Sequence, residues 1–76
     1  MTRELIEYVA GSLVDFPDDV SLEEIEDGDM VIYRLHVSPR DLGKVIGRRG
    51  RVARATRILL KVAAIQKHQR ATLEIE

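Results

Sequence analysis

Gly43, Gly47 and Gly50 fall within eight residues of one another, between two segments that otherwise read as helix. A glycine in a helix interior costs about 1 kcal/mol relative to alanine, so the stretch from Pro39 to Lys67 cannot form one long helix. It has to divide into a short helix, a tight turn and a second helix, and the rest of the chain must pack around that pair. The start of the first helix is marked by Ser38 at the N-cap, Pro39 at the first helical position and Asp41 three residues after the cap. These signals predict a helix over Pro39 to Ile46 and a turn over Gly47 to Gly50. From Arg51 to Lys67, residues Val52, Ala55, Leu59, Val62 and Gln66 share one side at helical spacing, with Ile58 and Ile65 at its margin. That side is the expected packing face, and Arg54, Arg57 and Lys61 form the opposite flank.

The remaining elements follow from periodicity. Leu5, Ile6, Val9, Leu13 and Val14 recur at spacings of three and four, which predicts a helix from Thr2 to Val14, capped by Thr2 and ended by Asp15-Phe16-Pro17. Val20 to Glu26 alternates imperfectly and reads as an edge strand with a bulge. Asp27-Gly28-Asp29 is a turn, and Met30 to Val37 alternates cleanly, Val31, Tyr33, Leu35 and Val37 against Met30, Ile32, Arg34 and His36. Residues 71 to 76 alternate again. The order α-β-β-α-α-β suits an α+β two-layer sandwich, a three-stranded sheet with its helices on one face. The other face, with Met30, Ile32 and Thr72, is left for solvent or a partner, and strand order stays open.

At 76 residues, 33% charged and 45% hydrophobic, the chain fits a single domain over residues 1–76 with a modest core that self-association would help to stabilise. No cysteine is present, which excludes disulfides, thiolate metal sites and a cysteine nucleophile. The apolar runs Ile58 to Leu60 and Val62 to Ile65 are far too short to span a membrane, and no secretory stretch follows the first residues. A cytoplasmic protein with no membrane partner is expected. The net charge of −1 conceals a strong split. Residues 1 to 38 hold two basic side chains against ten acidic, and residues 39 to 76 hold ten basic against three acidic. Such asymmetry points to a polyanion partner for the second half.

The chemistry concentrates in Lys44-Val45-Ile46-Gly47-Arg48-Arg49-Gly50-Arg51. Glycine allows positive φ and close approach of a ligand to the backbone. The second helix begins at the turn, so its free amides and the positive end of its dipole face the same point and favour phosphate. Arg48 and Arg49 add charge there, while Val45 and Ile46 supply an apolar wall suited to a base.

This segment resembles the Gly-X-X-Gly signature of KH domains, and the element order resembles the bacterial type II form of that fold. Asp41-Leu42-Gly43-Lys44-Val45-Ile46-Gly47 and Arg51-Val52-Ala53-Arg54-Ala55 make the chain similar to the KhpA family of small stand-alone bacterial KH proteins. The resemblance implies a clamp on about four nucleotides of single-stranded RNA. Gly47 and Gly50 would admit the backbone, Lys44, Arg48, Arg49 and Arg51 would hold phosphates, Val45, Ile46 and Val52 would form the groove wall, and Arg54 would extend the track, with Arg57 and Lys61 beyond it. It also implies an RNA chaperone or post-transcriptional regulator, a homodimer, and pairing with KhpB, also called Jag.

Two other functions fit parts of the pattern. A double-stranded DNA reader of helix-turn-helix or helix-hairpin-helix type also places two helices around a glycine turn, but leaves the sheet unexplained. A protein-assembly subunit would use the acidic half or the open sheet face and leave the loop incidental. Aromatics are only Tyr8, Phe16 and Tyr33, none near the turn, which argues against readers that stack bases on strands. Gly43-Lys44 is followed by valine, not the serine or threonine of a nucleotide-binding loop. No spacing of acids or histidines suggests a metal, no cofactor is implied, and no nucleophile and base are placed together, so the reading is non-enzymatic.

Overall fold

The computed structural model of the chain describes residues 2–76. Its elements are α1 (Thr2–Leu13), β1 (Ser21–Asp27), β2 (Met30–His36), α2 (Leu42–Ile46), α3 (Arg51–Gln66) and β3 (Arg70–Ile75), in the expected α-β-β-α-α-β order. Short 3₁₀ turns at Pro17–Asp19 and Arg48–Gly50 complete the chain. The strands lie in the order β1-β2-β3, with β1 antiparallel and β3 parallel to the central β2. A parallel neighbour requires a crossover, and here the crossover is the glycine turn with α2 and α3 on either side of it. The topology therefore fixes the turn at the connection between β2 and β3.

Val31, Tyr33, Leu35 and Val37 are buried on the helix side of β2, with Leu22 from β1 and Leu73 from β3. Ile6 and Ala10 of α1, Val45 of α2 and Leu60 of α3 complete this core. The opposite sheet face carries no helix. There Glu23, Arg34 and Glu74 line up across the three strands, and Arg34 Nε lies 3.2 Å from Glu74 Oε1. No helix among the described residues is long and apolar enough to cross a membrane.

Three expectations need correction. β1 pairs residue for residue with β2 from Ser21↔His36 to Asp27↔Met30, so it is an edge strand without a bulge. Its irregular alternation has another cause. Glu24 and Glu26 share the face of buried Leu22 yet stay exposed on this edge strand, and Arg3 of α1 meets Glu24 at 3.8 Å.

The second correction concerns α2, which begins at Leu42 rather than Pro39. Ser38 does accept a hydrogen bond from Arg40 N, at 3.3 Å, but only within a turn. Asp41 does not close a capping box, because its carboxylate is used elsewhere. It accepts bonds from the amides of Asp15 and Phe16, both at 3.0 Å, and so ties the link after α1 to the start of α2. Arg40 packs over the Phe16 ring at 3.7 Å and braces the same link.

The third correction concerns which side of α3 is buried. Ala53, Thr56, Leu60 and Ala64 face the core, while Leu59 and Val62, expected inside, are exposed with Ile58 and Ile65. These four exposed side chains range from 49% (Leu59) to 69% (Ile65) accessible, a continuous apolar ridge. The helix has two apolar sides. The one with small residues is chosen because it lets α3 approach the sheet closely, with Leu60 as its single large insert.

Candidate nucleic-acid interface

α2 ends where Gly47 turns to φ 78°, ψ 172°, with its N–H bonded to Gly43 O. Arg49 follows in the left-handed region at φ 57°, and Gly50, at φ 73°, serves as the N-cap of α3. Three of four successive residues thus hold positive φ, which l-side chains resist and glycine accepts. Gly47 is needed for a second reason. A Cβ there would lie 2.5 Å from Val52 Cγ2, so the loop folds back against the first turn of α3 with no room for a side chain. No side chain caps α3, and its first turn opens towards the loop.

The cations around this loop divide into two groups. Arg54 Nη1 donates to Arg49 O at 2.6 Å, holding the loop carbonyl from inside α3. Lys44 pairs with Asp15 and lies 3.6 Å from Asp41 Oδ1. The Asp15 bond raises the Lys44 pKa above its ordinary value. Burial alone would push the Asp41 carboxyl up, but the amides of Asp15 and Phe16, with Lys44 beside them, outweigh it and hold the group below the usual carboxylate range. Arg57 Nε donates to Leu73 O on β3 at 3.3 Å. Arg48, Arg49, Arg51 and Lys61 differ: among the described residues they form no ion pair or side-chain hydrogen bond, and all four are exposed. The two exposed arginines of the loop, Arg48 and Arg49, stand at its tip.

The predicted apolar wall is brought together only in part. Val45 is 3% exposed and belongs to the core, supporting the loop from behind. Ile46 and Val52, half-buried on either side of Gly47, remain accessible. Arg54, Arg57 and Lys61 follow one another along the flank of α3 that overhangs β3, roughly a quarter-turn from the apolar ridge. The pairing of Lys44, Arg54 and Arg57 escaped sequence reasoning. An acid three residues before Lys44 was visible, but the partners of Lys44 and Arg57, Asp15 and Leu73 O, are distant in the chain, and Arg54 meets a backbone carbonyl, Arg49 O, that leaves no mark in the residue pattern. Among the described residues, no group of three or more histidines and acids is placed to hold a metal ion.

The profile described as KhpA/KhpB, KH domain, matches residues 3–75. A protein named RNA-binding protein KhpA from Clostridium perfringens is 47% identical over 73 residues, covering 96% of this chain and 97% of that one. The protein of the same name from Borreliella burgdorferi is 51% identical over 72 residues, 95% of this chain and 88% of that one. Among solved structures, Era from Aquifex aeolicus, crystallised with GDP and aluminium fluoride, superposes with a TM-score of 0.65 at 14% identity. That match spans 97% of this chain but 29% of the longer Era chain, and it shows the fold alone. With the glycine loop at the crossover, the sheet order and near-complete coverage by relatives in agreement, this chain belongs to the KhpA/KhpB family of KH domains.

Proposed function

We propose that this chain acts as a single KH domain over residues 1–76 that binds single-stranded RNA without catalysis. The observation that carries this reading is the loop itself: positive φ at Gly47, Arg49 and Gly50, with unpaired Arg48 and Arg49 at its tip. Arg48, Arg49 and Arg51 hold phosphates, the uncapped first turn of α3 adds amide donors and dipole, and Ile46 and Val52 flank a base. Lys44 and Arg54 act behind them, one fixing the approach of α2 through Asp15 and Asp41, the other fixing the loop carbonyl. Curated relatives named as RNA-binding proteins support RNA as the polyanion.

Labelled single-stranded RNA, titrated by fluorescence anisotropy at two salt concentrations, tests this. If about three phosphates are neutralised, log K falls with log salt at a slope of about −2. Arg48→Asp/Arg49→Asp, shown to be folded by circular dichroism, should lose more than about tenfold in affinity. Equal binding by the double variant refutes the loop as the grip. A duplex DNA competitor that displaces the RNA at equal concentration would favour the DNA-reading alternative.

A second reading rests on the ridge of Ile58, Leu59, Val62 and Ile65. Four large apolar side chains on one outward helix face suit burial against another copy of the chain or a KhpB-type KH domain, which the family description names alongside KhpA. In the cell the role we assign is that of a cytoplasmic RNA chaperone or post-transcriptional regulator.

A further inference from the structure

On the edge of the sheet opposite β3, a cavity of about 380 Å³ lies between α1 and the leading end of β1. Arg3, Glu7 and Gly11 of α1 form one wall, and Pro17, Val20 and Leu22 lie across from them. We infer that this cavity and the free edge of β1 are a docking site for a basic, extended segment of another protein, which adds to the sheet as a fourth strand and seats an arginine side chain in the cavity. The inference goes beyond the RNA-binding reading and stands without it, because none of the loop residues takes part.

Three features carry it. The first is the open strand edge. Leu35 O accepts from Glu76 N, so the backbone groups of Leu35 face β3, and its antiparallel partner Leu22 turns its own away from β2. By the same alternation Glu24 and Glu26 present N–H and C=O to the outside, and among the described residues no hydrogen bond takes them. The second feature is Gly11. A glycine inside a helix weakens it relative to alanine, yet a Cβ at Gly11 would meet nothing within 4 Å. No contact within the chain requires the missing side chain. Its absence keeps this wall of the cavity low, so that an outside chain can lie close to α1. The third feature is the charge, together with the use that Arg3 makes of it. The Arg3 guanidinium donates to the outward carbonyl Leu22 O at 2.8 Å, while lying 3.1 Å from Glu7 and 3.8 Å from Glu24. One guanidinium is thus already satisfied on this edge by a strand carbonyl and two carboxylates. The edge has room for more, since Glu23, Glu26 and Asp27 of β1, with Asp18 and Asp19 before it, are exposed and form no ion pair among the described residues. A second copy would bring the same acids against these if it paired edge to edge, and a nucleic acid is repelled, so the occupant is a basic segment of a different protein.

The test titrates the full chain, 15N-labelled, with a synthetic peptide that alternates arginine and valine over about eight residues. Amides of residues 7–11 and 20–26 should shift, and those of residues 47–51 should stay silent. The fully N-methylated peptide, equal in charge but without backbone donors, should bind at least about tenfold more weakly. Gly11→Leu, which fills the cavity, should also lose about tenfold. Gly11→Ala should bind about threefold more weakly although it raises the melting temperature, and a loss of binding in a more stable chain cannot come from unfolding. Glu24→Lys/Glu26→Lys, checked for a native amide spectrum, should lose more than about tenfold, whereas Arg48→Asp/Arg49→Asp should bind within about twofold of the wild type. Failure of the loop as an RNA grip therefore leaves this result untouched. Equal binding of the N-methylated peptide would reduce the contact to charge attraction and overturn the inference. Undiminished binding by Gly11→Leu would also overturn it, and so would silence at residues 7–11 and 20–26. If those amides instead shift with protein concentration alone, the occupant is a second copy and the basic segment is wrong.

Discussion

The inner and outer faces of α3 are both apolar, and they differ in the size of their side chains. Ala53, Thr56 and Ala64 surround Leu60 on the inner face, and Ile58, Leu59, Val62 and Ile65 stand outside. Area alone would favour burying the larger residues. The fold buries the smaller ones because three strands and a partner helix already fill the layer, and a close approach gains more contact than bulk that holds the helix away. Apolar content therefore does not identify the packing side of a helix in a domain this small. The side compatible with the separation between layers does.

The inner face of α3 is most sensitive at Leu60. Leu60→Ala should cost about 2–5 kcal/mol in urea unfolding, since the side chain is fully buried and its small neighbours cannot close the gap. Next comes overpacking. Ala64→Leu should cost about 1–3 kcal/mol, whereas enlarging exposed Ala55 to leucine should leave stability nearly unchanged.

The start of α2 is held by a charge, where α3 is held by packing. The native Asp41 carboxyl is held below its ordinary value, so its contribution is complete above about pH 4–5 and lost as pH falls through the native pKa. Asp41→Asn should lower the melting temperature at neutral pH, and the deficit should shrink as pH is reduced below about 4. Leu60→Ala should show no such dependence.

The smallest expected effect lies on the outer ridge. Ile58→Ser/Val62→Ser should shift monomer stability by no more than about 0.5 kcal/mol per site. If the ridge binds a second copy, the wild type should sediment as a dimer with a concentration-dependent melting temperature, and the double variant as a monomer without one.

Much of the fold was legible because its signals are local. The alternation of β2, the hairpin glycine at Gly28 and the glycine punctuation from Gly43 to Gly50 each act within a few residues. The packing side of α3 was not, because both sides repeat at helical spacing and only the distance to the sheet separates them. The start of α2 lies at Leu42, beyond its local signals at Ser38 and Pro39, for a related reason. Asp41 has the right spacing for a capping box, but its carboxylate meets the amides of Asp15 and Phe16, which no local pattern connects to it. The loop was recognisable from its glycines and arginines. The division of its cations into those held by Asp15, Arg49 O and Leu73 O and those left unpaired is a tertiary property.

The separation of acids from bases along the chain becomes, once folded, a separation in space. Acids concentrate in α1 and the β1 hairpin, while bases occupy the glycine loop, the outer flank of α3 and the start of β3; the link after α1 is the exception, its Asp15 set against Lys44 of α2. A chain with net charge −1 therefore behaves as an electric dipole. In the field of a polyanion it experiences a torque before it feels much net attraction, and that torque turns the loop forward and the acidic edge away. Orientation is thereby selected during approach, so productive encounters increase without the indiscriminate adhesion that a strongly cationic protein would show.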